Sequence, residues 1–144
     1  MTASPRAYSL IKQFEGLRLR SYRDVTGVWT VGYGTTAGAH ADQTITEEQA
    51  DALLRQEVER LEPILSAAIT APVAQAQFDA CVSFAYNLGA GAFSRSTLLK
   101  KINAGDMLGA SAEFPKWVFA SGREMPGLVH RRAEEKAVFD GVSV

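Results

Sequence analysis

A single change of period, inside residues 14–34 (FEGLRLRSYRDVTGVWTVGYG), constrains the fold more than any other feature of the chain. Before it, Ser4 and Pro5 form a helix start, with Ser4 at the N-cap and Pro5 in the first turn. Ala7, Leu10, Ile11 and Phe14 then recur at helical spacing, and Gly16 can end the helix. Within the stretch the period drops to two: Leu17, Leu19 and Ser21 alternate with Arg18, Arg20 and Tyr22. DVTG makes a turn, after which Trp29, Val31 and Tyr33 share one strand face and Val28, Thr30 and Gly32 the other. This predicts a small antiparallel hairpin with Gly32 and Gly34 flattening its end, and with Thr30 on the less bulky face, where a cleft could lie. Thr35 to Thr44 reads as a loop or a short third strand.

Everything after the hairpin is helical. Thr46 opens a capping box with Gln49, and Ala50, Leu53, Leu54, Val58, Leu61 and Leu65 follow at helical spacing with a charged outer face. Pro72 breaks that pattern before a more apolar helix near 74–88, whose Phe78, Cys81, Val82 and Ala85 mark it as central and buried; Gly89 and Gly91 close it. Shorter helices are predicted near 97–103 and 107–118, and a last one near 128–139. One small hairpin among many helices gives an α+β fold, predominantly helical. The expected organisation is a single domain over 1–144. A small β lobe covers about 15–45, a bridging helix about 46–68, and a helical lobe about 70–144 with the N-terminal helix packed on it.

Composition excludes several functions. The net charge is −1, from 15 basic and 16 acidic residues spread through both halves, which is not the basic footprint of a nucleic-acid binder. One cysteine, Cys81, rules out an intrachain disulfide and reads as a small buried hydrophobe. No run reaches the roughly 18–20 apolar residues of a membrane span. The first residues lack the unbroken apolar core of a signal peptide, so neither signal nor anchor is expected. His130 and Glu134 have the helical spacing of a metal pair, but no HExxH accompanies them, and no metal or cofactor is expected.

The chemistry-bearing residues are Glu15, Asp24 and Thr30. Glu15 closes a helix, where the macrodipole disfavours a negative charge and so favours the protonated carboxyl an acid requires. Asp24 lies nine residues on in a turn, and Thr30 six further on in a strand. A proton donor on one element and a water-holding pair on another are the parts that glycoside hydrolysis needs. Spacing alone leaves a plainer alternative for each: a surface residue at a helix end, a turn former, a good strand residue. Tyr86 and Asn87 can line a cleft from the helical side, with core packing the alternative for Tyr86. Trp29 and Trp117 could stack on sugars, though core packing suits both better. His40 reads as a loop residue.

EGLRLRSYRDVTGVWTVGYG resembles the active-site segment of the phage-type lysozymes, the muramidase endolysins, in the order and separations of its glutamate, aspartate and threonine. FAYNLGAGAFSRSTLLKKINAGD (84–106) is similar to that family's central helix and following turn, and GLVHRRAEEKAVF (127–139) to its last helix. The resemblance implies a lysozyme-like fold and hydrolysis of the β-1,4 bond between N-acetylmuramic acid and N-acetylglucosamine. Glu15 would be the general acid. Asp24 and Thr30 would place the attacking water, with inversion at the anomeric carbon. Tyr22 would be an aromatic beside the site, and Gly34 would sit where a side chain crowds the sugar. Arg131 or Arg132 would approach the glutamate, a solvated helix face being the alternative. Tyr22, Gly34, Tyr86, Asn87 and Arg131 form the expected substrate-binding set. The implied setting is the cytoplasm of an infected host, with a separate holin-type membrane protein releasing a monomer to the wall. The chain departs from many relatives at Thr35, where they carry histidine, so a histidine–carboxylate pair is unavailable there. A lytic transglycosylase would dispense with the water-positioning pair, and a wall-binding protein would dispense with all three residues; their presence argues against both.

Overall fold

The computed structural model describes residues 1–141; the last three positions of the 1–144 domain lie outside the described residues. Helix α1 (Pro5–Glu15) begins at Pro5 as predicted, but the Ser4 hydroxyl does not cap it. It donates instead to the buried carboxylate of Asp79, which also accepts from the Ser4 N–H at 3.0 Å. The helix start is thereby fastened to the centre of the molecule. At the other end Gly16 (φ +69°) turns the chain away, leaving Glu15 as the last helical residue.

Strands β1 (Arg18–Arg23) and β2 (Trp29–Gly32) pair antiparallel with Tyr22 opposite Thr30, and the register shifts between Arg18 and Tyr22. The segment after the hairpin adds to the free edge of β1, through Ser21 N–H to Gln43 O and Ile45 N–H to Leu19 O, both 2.8 Å. The hairpin end differs from the sequence reading. Gly32 and Gly34 do not flatten it. Both have positive φ (+69° and +75°), a conformation that costs an L-residue with a side chain, and they fold the chain back so that Val31 and Thr35 exchange two backbone hydrogen bonds of 2.9 Å. Both faces of β2 are also covered: Val31 and Tyr33 join the core, while Gly32 packs on Ala50 and Ile45. Thr30 is therefore buried rather than displayed.

Helix α2 (Glu47–Ala68) carries the predicted capping box, with Thr46 N–H donating to Gln49 Oε1 at 2.9 Å and Gln49 N–H to Thr46 Oγ1 at 3.1 Å. At 1.5 Å per residue it runs about 33 Å. Its buried stripe is Ala50, Leu54, Val58, Leu61 and Leu65. No described helix is long and apolar enough to cross a membrane.

Helix α3 (Gln75–Leu88) is buried without a break from Phe78 to Ala85 and packs against α1, α2 and α7. Two short helices, α4 (Ala90–Arg95) and α5 (Thr97–Asn103), follow; Gly91 lies inside α4 rather than ending α3. The helix predicted over 107–118 is replaced by α6 (Met107–Ser111), a 3-10 turn (Phe114–Lys116) and a strand pair, β3 (Phe119–Ala120) with β4 (Arg123–Glu124). Pro115 lacks the N–H that a continuing helix needs, and Ser121 and Gly122 supply the positive φ of the tight turn. Helix α7 (Pro126–Phe139) closes the described chain. Phe84 forms the aromatic centre, edge-on to Phe93, Phe114 and Trp117 at 5.4–6.2 Å between ring centroids. Trp117 thus takes its core role.

Candidate active site

Glu15 reaches the junction of three elements. Its carboxylate accepts a 2.7 Å hydrogen bond from Arg131 Nη1 on α7, across 116 residues of sequence. On its other side lies the hairpin end: a Cβ built on Gly34 would fall 2.5 Å from Glu15 Oε1. The glutamate side chain is 19% exposed, so it is held but reachable. Of the two arginines left open by the sequence, Arg131 makes the contact.

The arginine is itself immobilised. Arg131 Nε donates to Glu135 Oε2 (3.3 Å), and Nη2 to the carbonyl and hydroxyl of Ser83 (3.2 and 3.3 Å). Glu135 Oε2 also accepts from Ser83 Oγ at 2.5 Å. Glu135 Oε1 lies 3.2 Å from Arg132 Nη1, a charge contact without the alignment of a hydrogen bond, and Arg132 Nη2 donates to Asn87 Oδ1. Arg132 and Glu135 have no solvent exposure. Burial pushes the Glu135 carboxyl up, against the pull of its two arginines, and burial pushes the Arg132 guanidinium down. Asn87, expected to line the cleft, is thus engaged by the buried network. Ser83 and Glu135 were not singled out from sequence, and Arg132 was named only as the alternative to Arg131, yet a signal existed. Positions 131, 132, 135, 138 and 139 lie on one helical face, and the last two are the buried Val138 and Phe139.

Asp24 sits in the hairpin turn. Its Oδ1 accepts from Thr26 Oγ1 (2.6 Å), Thr26 N–H (2.8 Å) and Val28 N–H (3.0 Å). The Thr26 hydroxyl, followed by the Val28 amide, holds the carboxyl below its usual range, so Asp24 stays ionised. Thr30, on β2, donates its hydroxyl to Val28 O at 3.0 Å, which leaves its oxygen free to accept. Asp24, Thr30 and Gly34 therefore belong to one rigid hairpin whose end abuts Glu15. Tyr22 is partly buried under the guanidinium of Arg18, 4.2 Å from the ring centroid.

Beside Gly34 a cleft of about 610 Å³ opens between the hairpin end and α2, lined by Thr35, Leu53, Glu57, Arg60 and Tyr86 among others. The Tyr86 hydroxyl donates to Tyr33 O at 2.5 Å, tying the helical wall to the hairpin, and burial pushes its ionisation up, so it remains a neutral donor. Thr35 offers no imidazole here; Glu57 pairs with Arg60 instead, at 2.7 and 3.1 Å. His130 pairs with Glu134 at 3.5 Å, and no group of three or more metal-ligating side chains occurs among the described residues.

The sequence profile of the phage lysozyme family matches residues 12–135. An endolysin of Acyrthosiphon pisum secondary endosymbiont phage 1 is 46% identical over 144 residues, 97% of this chain and 99% of that protein. The endolysin of Bacillus phage PZA is 43% identical over 97% of this chain, which spans only 55% of that longer protein. Among solved structures, the muramidase domain of SpmX from Asticaccaulis excentricus superposes with a TM-score of 0.90 at 36% identity, covering 96% of this chain and 97% of that one.

Proposed function

Because the chain belongs to the phage lysozyme family, a lineage of peptidoglycan-hydrolysing glycosidases, we propose that it cleaves the β-1,4 bond between N-acetylmuramic acid and N-acetylglucosamine with inversion. In this reading Glu15 protonates the departing glycosidic oxygen, while Asp24 and Thr30 hold the attacking water on the opposite side of the sugar. Inverting sites need room for that water, with carboxyls roughly 6.5–9.5 Å apart. The observation that carries the reading is the meeting of Glu15 with Arg131 and with Gly34, a residue of the cleft wall, which fixes one carboxyl against the hairpin that bears the other.

The two hairpin groups suit a single water. Asp24 Oδ1 is fully engaged by the turn, so Oδ2 remains to accept one water hydrogen. Thr30 Oγ1 donates its own hydrogen to Val28 O, so its lone pairs accept the other. A water that donates both hydrogens has a lone pair left to aim at the anomeric carbon. Tyr86, Tyr22 and the glycine at 34 would shape the sugar-binding wall. The wider proposal includes action as a monomer at the end of infection, after release from the host cytoplasm by a separate hole-forming membrane protein. Lysis on co-expression with such a protein, and sedimentation of the purified enzyme, test those two parts.

The central test is Glu15→Gln, which keeps the shape of the side chain and removes its transferable proton. Circular dichroism should be unchanged, while lysis of chloroform-treated Gram-negative cells should fall by roughly 10²–10⁴. Activity within about threefold of the parent would remove Glu15 from proton transfer. Mass spectrometry of products should show hydrated rather than anhydro-muramic ends.

A further inference from the structure

A general acid is poorly served by a bare arginine. The 2.7 Å contact from Arg131 sets a positive charge against the carboxyl whose proton the proposed reaction would consume. The structure contains a counterweight. Glu135, one helical turn beyond Arg131, is completely buried and lies against both Arg131 and Arg132. With Glu15 ionised the four groups sum to zero; with Glu15 protonated they leave one positive charge. Without Glu135, the two arginines would face Glu15 almost uncompensated in a low-dielectric interior.

We propose that Glu135 is a positioning residue that sets the proton affinity of Glu15 by neutralising and orienting Arg131. The proposal rests on Glu15 being the acid of the reaction. Orientation comes from geometry: Glu135 Oε2 binds Arg131 Nε, Ser83 Oγ binds the same carboxylate oxygen, and Ser83 also receives Arg131 Nη2, so the guanidinium has one place to lie. Neutralisation comes from charge. The other groups around the pair do not supply it. From α3, Tyr86 and Cys81 are held neutral by burial. From α1, Lys12 is paired with Asp51 at 2.8 Å, and from α7 the exposed His130 is paired with Glu134. From α2, Glu57 is engaged by Arg60. From the hairpin, Asp24 is bound within its own turn.

Charge balance predicts opposite effects for two substitutions. Glu135→Gln preserves volume and leaves excess positive charge, so Glu15 should ionise at lower pH. Arg132→Gln removes positive charge, so Glu15 should ionise at higher pH. The Glu135→Gln/Arg132→Gln double variant restores the balance and should return towards the parent. On the alkaline limb each single variant should change kcat/KM by about tenfold at fixed pH, the effect of one nearby charge. Two readouts are needed: Glu15 titration by carboxyl-carbon NMR, and kcat/KM against pH on solubilised peptidoglycan. Because the acid must be protonated, activity falls as pH rises through its ionisation. The alkaline limb should therefore move down in Glu135→Gln and up in Arg132→Gln, and recover in the double variant. If one single variant does not fold, the sign of the other still decides. A Glu15 titration that stays in place, or moves in the same direction in both, overturns the inference. A titration that moves as stated while the activity limb stays fixed supports the inference and overturns the role of Glu15 as acid.

Discussion

Gly34→Ala separates the position of the proposed catalytic carboxyl from the stability of the fold. Two costs arise from adding one methyl group. The first is backbone strain: Gly34 has φ +75°, and a left-handed residue with a Cβ costs about 1–2 kcal/mol. For a domain of this size that lowers the melting temperature by about 3–6 °C. The second is contact. The new Cβ would stand 2.5 Å from Glu15 Oε1 and 3.1 Å from Cδ, where ordinary contact begins near 3.4 Å, so the carboxylate must retreat by about 0.9 Å (3.4 − 2.5). The retreating atoms are the end of a flexible side chain, so this adds little to instability. In the proposed mechanism they belong to the proton-donating carboxyl, which Arg131 pins through its other oxygen, and a misplacement of about 1 Å costs roughly 10²-fold in rate. Gly105→Ala is the control: its φ is +78° and a Cβ there meets nothing within 4 Å. Both variants should lose similar thermal stability by calorimetry. Assayed well below melting, only Gly34→Ala should lose about 10²-fold in kcat/KM on peptidoglycan. Equal activity in the two variants would refute the argument that Gly34 is kept bare for Glu15.

Two further outcomes follow from the same geometry. If Asp24 and Thr30 hold one water as proposed, Asp24→Asn and Thr30→Val should lose activation free energy in a strongly non-additive way in the double variant; strict additivity would separate their roles. Glu113 is held below its usual range first by Lys116, at 2.5 Å, and then by Lys101, at 3.3 Å. A depressed folded-state value means stability that is present above the unfolded value of about 4.3 and is lost as pH falls through the folded one. The melting-temperature gap between the parent and Glu113→Gln should be full at neutral pH and close on acidification; a gap that persists in acid would detach Glu113 from this linkage.

The legible parts of the fold were those where local chemistry and tertiary packing agree. The Thr46–Gln49 box, the α5 bounds and the apolar stripe of α2 are satisfied within a few residues, so the sequence carries them. The N-cap position at Ser4 was readable but its use was not, because the hydroxyl answers to Asp79, distant in sequence. The segment after α6 misled because its apolar residues keep helical spacing while Pro115 and the Ser121–Gly122 turn impose another path. At the site, Glu15, Asp24, Thr30 and Gly34 stood out through the resemblance of their segment, spacing alone leaving a plainer alternative for each of the first three. Ser83 and Glu135 stayed hidden, and Arg132 was read only as an alternative contact to Glu15, because hydrophobic periodicity counts polar and charged residues as outward-facing, and these occupy the inward face.

The two candidate carboxyls are governed from different parts of the chain. Asp24 has its charge stabilised from inside its own turn by three short-range donors and lies open enough to keep water nearby, so acid is needed to neutralise it. Glu15 receives no such local help. It ends α1, where backbone carbonyls point towards it, and its one cation is already committed to Glu135 and Ser83. The hairpin can therefore be treated as a cassette in which the charge state is written locally. The helical side instead distributes its control over α1, α3 and α7. Substitutions in the hairpin turn should act on Asp24 alone, whereas substitutions at 83, 132 or 135, none touching the substrate, should be felt at Glu15. This asymmetry gives the buried charges of α7 a function that core stability alone does not require, since a buried ion pair contributes little over apolar residues of equal volume.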